Sequence, residues 1–126
     1  LGSLKKGIPV YYREVQVGQV TGYRLADSSD KVLVTVAIKS AFAPLVHRNT
    51  RFWNVSGVDF DFGFFRGMRF QMNTVESLIE GGIAFATPPP DDMGERAKNN
   101  DTFVLHDRAE KTWLGWAPAI SLDQDR

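Results

Sequence analysis

Val15-Gln16-Val17-Gly18-Gln19-Val20 and Val32-Leu33-Val34-Thr35-Val36-Ala37-Ile38 are the stretches on which the fold turns. In the second, Val32, Val34, Val36 and Ile38 alternate with the residues between them, the period of a half-buried strand. Asp27-Ser28-Ser29-Asp30 lies between the two stretches and supplies a hairpin turn. Gly18 interrupts the first stretch. A glycine inside a strand pattern marks a bulge, a sharp bend or a close backbone approach.

Working outward, residues 8–13 form a preceding apolar strand. Pro9 has no N–H, so it belongs at an edge or a strand start. Residues 41–47, with Phe42, Leu45 and Val46, predict a short helical turn with Pro44 in its first turn. Thr50 to Val55 is a strand. Val58, Phe60 and Phe62 then face one way while Asp59 and Asp61 face the other, and Met68 to Met72 returns. Asn73-Thr74 caps a short helix over 75–80 with Val75, Leu78 and Ile79 inward, and Gly81-Gly82 stops it. Ile83 to Ala86 closes the compact domain. From Pro88-Pro89-Pro90 to Asn100 the chain is proline, acid, glycine and amide, which predicts an extended or mobile linker. Thr102-Phe103-Val104-Leu105-His106 predicts one more short strand, and 107–112 the start of a helix or turn. Trp113, Trp116 and Pro118 are too sparse to assign. About seven short strands with two helical segments predict an all-β fold, a small barrel or a sandwich. Gly18, Gly57 and Gly63 suit the corners of a barrel.

The chain has 126 residues, enough for one domain with a modest core. Fifteen Lys and Arg balance fifteen Asp and Glu. A phosphate-tracking surface would be basic, so nucleic acid is not an expected partner. The absence of cysteine removes disulfides, thiolate metal sites and cysteine nucleophiles. No apolar run approaches the roughly 20 residues of a membrane span. The chain begins at Leu1 without an initiator methionine and is read as a piece of something longer, whose anchor or signal lies elsewhere.

Catalysis finds no foothold in the sequence. His47 and His106 stand apart, so a metal site shared with Asp59 or Asp61 is the weaker reading and ordinary histidines the stronger. Asp59 and Asp61 share one strand face, which is the pattern of a solvated face rather than of carboxylates held across a cleft. No nucleophile elbow or triad order appears. No catalytic residue, metal site or cofactor is assigned. What stands out is aromatic: Phe52, Trp53, Phe60, Phe62, Phe64, Phe65 and Phe70 crowd into one stretch. Alternating Phe60 and Phe62 read as core. Phe64-Phe65 do not, because adjacent residues in a turn flanked by Gly63 and Gly67 cannot easily share one core. An exposed apolar loop points to domain packing, or to a partner surface, lipid or a pore lining.

Lys5-Lys6-Gly7-Ile8-Pro9-Val10-Tyr11-Tyr12-Arg13 followed by Val17-Gly18-Gln19-Val20 resembles the opening motif of the MCE (mammalian cell entry) domain. Asn49-Thr50-Arg51-Phe52-Trp53-Asn54-Val55-Ser56-Gly57 and residues 76–88 are similar to the subgroup called paraquat-inducible protein B. The resemblance covers residues 4–88, the β-barrel domain. Residues 89–126 are then a linker and C-terminal extension with one short strand, leading to a next domain. The resemblance implies a seven-stranded barrel, no enzymatic activity, hexameric rings with a central pore, and rings of adjoining domains stacked into a tube. It implies a periplasmic location on an inner-membrane-anchored protein of a Gram-negative envelope, with an inner-membrane partner protein allowed. The implied work is moving phospholipid between the inner and outer membranes, and with it outer-membrane integrity. Pore-lining residues carried over from relatives fall on the connection from Gly63 to Gly67, hence Phe64 and Phe65. Arg66 beside them is placed to meet a headgroup phosphate or a neighbouring subunit. Gly18 and Gly57 shape the barrel, and Trp53 buttresses it. An envelope-bridging adaptor and a periplasmic solute-binding module stand as alternatives.

Overall fold

The computed structural model describes residues 8–28, 31–55, 79–98 and 101–122. Among the described residues six strands form in chain order: β1 Pro9–Tyr12, β2 Val15–Leu25, β3 Val32–Ile38, β4 Arg51–Asn54, β5 Ile83–Ala86 and β6 Thr102–His106. They close into a small barrel in the order β1-β2-β3-β6-β4-β5, with β5 returning parallel to β1. The expected strands over 58–62 and 68–72 and most of the expected helix over 75–80 lie outside the described residues.

Alternation makes the barrel. Val32, Val34 and Val36 of β3 are buried while their neighbours are more exposed. Opposite β3, Phe103 and Leu105 of β6 do the same. Closing so short a sheet requires strong local bending, and β2 supplies it twice. Its pairing with β1 slips by one residue at Val17, beside Gly18, and its pairing with β3 slips at Thr21. Each extra residue is a bulge that increases strand twist. Thr21 Oγ1 donates to the Thr35 carbonyl across the second one, at 3.2 Å.

The described interior is filled. Val10, Val34, Phe52 and Ile83 have no exposed surface. Phe52 packs against Phe103 at 4.7 Å and against Phe85 at 5.1 Å between ring centroids, and Phe85 against Tyr12 at 5.0 Å. This run of rings crosses from β6 through β4 and β5 to β1.

β1 and β2 are joined by a two-residue turn at Arg13 and Glu14, with φ of 53° and 73°. A tight hairpin favours such left-handed pairs because they match strand twist, and glycine or asparagine usually fills them. Arginine and glutamate there cost roughly 1 kcal/mol or more each.

The 3-10 helix Ser40–Leu45 occupies the place of the first expected helical turn, with Pro44 near its end rather than its start. Residues 88–98 differ from the expected extended or mobile linker. Helix α1, Pro90–Met93, follows the prolines, and the next residues dock against 46–49. Arg48 N donates to the Glu95 carbonyl at 2.8 Å, Asn49 N to Met93 at 3.1 Å, and Ala97 N to Val46 at 2.9 Å. Composition predicted mobility because the partners that hold this stretch are some fifty residues away in sequence. Strand β6, expected in the C-terminal extension, is a stave of the barrel itself, between β3 and β4.

Candidate functional site

Phe64, Phe65 and Arg66, with Gly57, Gly63 and Gly67, lie outside the described residues. The described strands do fix where the segment carrying them is attached. β4 ends and β5 begins side by side, with Asn54 opposite Ile83. Val55 N donates to the Gly82 carbonyl at 3.1 Å and closes the base of the excursion. Gly82 has φ of 113°, and a Cβ there would stand 2.7 Å from the Tyr11 ring. Parallel pairing of β1 with β5 puts the start of β1 on this same rim. The Arg13-Glu14 turn, at the end of β1, occupies the opposite rim.

Gly18 pairs with Ile38 of β3, against the β3 backbone. A Cβ there would run into the Ala37 carbonyl oxygen and stand 2.9 Å from Ile38 Cα. Trp53 points outward from β4. Helix α2, Lys111–Leu114, lays Trp113 over it, with ring centroids 6.0 Å apart. Trp113 is buried, edge-on to His106 at 4.8 Å and beside Trp116 at 6.3 Å. The segment then runs along the outside of the β1–β2 hairpin, where Ile120 and Leu122 pack against the core. These strap residues were the part that sequence spacing left unassigned. The signal was the three tryptophans themselves, since residues this large are rarely left without a partner surface.

A buried polar relay joins the 3-10 helix to β4 and the end of β5. His47 N donates to Thr50 Oγ1 at 2.9 Å. The Thr50 and Thr87 hydroxyls lie 2.7 Å apart, and Thr87 Oγ1 donates to the Leu45 carbonyl at 2.7 Å. The His47 ring is itself buried, and its Nδ1 finds no partner among the described residues. Burial, then the nearby Arg96, holds its pKa below the ordinary 6.5, against a hydrogen bond to the Leu45 backbone that acts the other way. His106 is lowered too, first by burial and then by Arg51, with Glu110 and Asp107 opposing. Both rings therefore favour the neutral form when folded, whereas the unfolded chain takes up protons near pH 6.5. Stability is full above that pH and falls as pH drops below it. The melting temperature is expected to decline between pH 7.5 and 5.5, and His47→Gln to flatten part of that decline in thermal melts across the range.

Among the described residues no group of three or more His, Asp or Glu is placed to hold a metal. No helix among them is long and apolar enough to cross a membrane.

The family described as MlaD protein matches residues 1–82. The chain belongs to the MlaD family. The match ends at Gly82, so β5 and β6, which close the barrel, lie beyond it. Two curated relatives extend the similarity over nearly the whole chain. Lipophilic envelope-spanning tunnel protein B of Escherichia coli (strain K12) is 39% identical over 119 residues, 94% of this chain. A protein of Haemophilus influenzae named probable intermembrane transport protein is 40% identical over 120 residues, again 94% of this chain. The chain spans 14% of the length of each of these relatives.

Proposed function

We propose that this MlaD-family domain is one module of a non-enzymatic phospholipid conduit. In this reading it sits in the periplasm as part of an inner-membrane-anchored protein. Six copies make a ring with a central pore, and rings of adjoining domains stack between the inner and outer membranes. The finer similarity to the paraquat-inducible subgroup is part of the same proposal. So is the module boundary, which we extend from residue 4 past residue 88 to include β6. The relatives' names, an envelope-spanning tunnel and an intermembrane transport protein, support the direction of this reading.

The observation that carries it is the filled barrel. With Phe52, Phe85 and Phe103 stacked across the interior, no bore is left through those staves for an acyl chain. Cargo has to travel outside each barrel, along a surface that several copies share. The segment 56–78 leaves and re-enters at one rim, and Phe64 and Phe65 lie near its middle. An apolar lining there keeps lipid tails dry, worth about 0.8 kcal/mol per CH₂. Arg66 is assigned to a headgroup phosphate or to the next subunit.

The test uses the full-length parent protein with photocrosslinking residues at positions 64 and 65. Phospholipid adducts are expected at both, in a particle whose mass by light scattering is that of six chains. Replacing both phenylalanines with aspartate is expected to cut adducts at neighbouring positions at least about tenfold, as two buried charges oppose an apolar path. A six-chain particle without adducts favours an adaptor that bridges the envelope.

A further inference from the structure

Two open grooves flank the Arg13-Glu14 turn, on the rim opposite the end of β4 and the start of β5. One, of about 540 Å³, is walled by Tyr12, Trp53, Phe85, Trp113, Leu114 and Trp116. The other, of about 560 Å³, is walled by Val15, Val17, Phe42, Leu45, Ile120 and Leu122. Tyr12 and Arg13 line both. Each is the size of a small-ligand site, in the range of roughly 300–1,000 Å³. Two troughs of nearly equal volume, the first of mixed polar and apolar lining and the second more apolar, therefore meet at one exposed cation.

Three features single out the occupant. The strap does not fill the space between itself and the hairpin, although protein interfaces normally pack without such gaps. Leu114 at its edge is 65% exposed and Val15 across the hairpin is 52% exposed. Among the described residues Arg13 forms no ion pair, and it holds a left-handed turn position that glycine would occupy more easily. A strained residue whose side chain is a charge at the junction of two grooves suggests selection for that charge. Glu14 beside it adds an anion, so the pair complements a zwitterionic as well as a singly anionic headgroup.

We propose that the β1–β2 turn and the C-terminal strap form a docking site for one diacyl phospholipid, with one acyl chain in each groove and the headgroup phosphate on Arg13. This rests on the conduit reading for the class of cargo. It adds a second contact point, at the rim of the barrel that carries the Arg13-Glu14 turn.

The chain reports on this site directly, because all three of its tryptophans line the first groove. The 126-residue chain is titrated with a short-chain phosphatidylglycerol brominated on both acyl chains, below its micelle threshold, and tryptophan emission is followed. Saturable quenching is expected. Arg13→Glu is expected to weaken it about fivefold, the scale of one partly exposed charge-assisted contact. Arg13→Gly separates binding from folding: it relieves the left-handed strain and raises the melting temperature, yet weakens quenching by a similar factor. Arg48→Glu, a surface cation away from both grooves, leaves quenching unchanged.

Absent or unsaturable quenching overturns the proposal, as does quenching that both Arg13 variants leave intact. A mass of two chains by light scattering, with emission insensitive to lipid, assigns the grooves to a second copy and overturns it as well. Adducts at positions 64 and 65 in the parent protein without quenching here would sink this site while leaving the conduit reading in place.

Discussion

Gly18→Ala is expected to destabilise the chain by about 3 kcal/mol or more, at or above the upper end for an overpacked interior. The added methyl meets backbone on the neighbouring strand, the Ala37 carbonyl oxygen and Ile38 Cα at 2.9 Å. A side chain in the way could change rotamer. A paired strand can move only by giving up its ladder. Gly18 pairs with Val10 on one side and Ile38 on the other, next to the bulge at Val17, so the displacement spreads to both neighbours. Against a total stability of roughly 5–15 kcal/mol, such a loss is a large share. A thermal melt is expected to show a fall of about 10 °C or more. Gly81→Ala is the control, because a Cβ at Gly81 meets nothing within 4 Å. A Gly18→Ala melt close to that control would mean that β2 and β3 can separate without cost.

Gly18 also shows how far sequence alone reaches. A glycine amid Val15, Val17 and Val20 signals a bulge, a sharp bend or a close backbone approach, and the structure shows the bulge beside it and the close approach of β3. The alternation of Val32, Val34 and Val36 was equally legible, since a strand's period is a local property. The position of β6 was not. Phe103 and Leu105 announce a strand, but nothing nearby says that its partners are β3 and β4. The same holds for Val46 to Asn49, whose backbone groups bond to residues 93–97. A proline-rich composition describes what a segment does alone, and here the tertiary partners decide. The strap was unread for a third reason. Its anchors, Trp113, Ile120 and Leu122, are too few and too scattered to set a period, and the surface they cover is formed by distant strands. As for the expected pore residues, the described strands fix the rim from which their segment leaves, and the crosslinking experiment addresses the rest.

Phe52→Ala is expected to cost about 3–5 kcal/mol, the usual range for deleting a fully buried aromatic ring. Phe52 has no exposed surface and touches Phe85 and Phe103 on either side, so its removal leaves a hole that two rings border. Short paired strands cannot close around it without breaking the register of Phe52 with Phe85 and Leu105. Phe52→Leu keeps most of the volume and is expected to cost less than half as much. Denaturant unfolding of the three proteins, read as midpoint shifts at constant slope, checks the order. The result bears on function as well as on stability. If Phe52→Ala were nearly neutral, the barrel interior would be loosely filled, and a path for lipid through the barrel would regain its standing. A large loss means that the rings form the solid wall of the module. On the proposed conduit reading, lipid then passes over the module's surface, and the candidate contacts are Arg13 at one rim and the segment that leaves the barrel from the other.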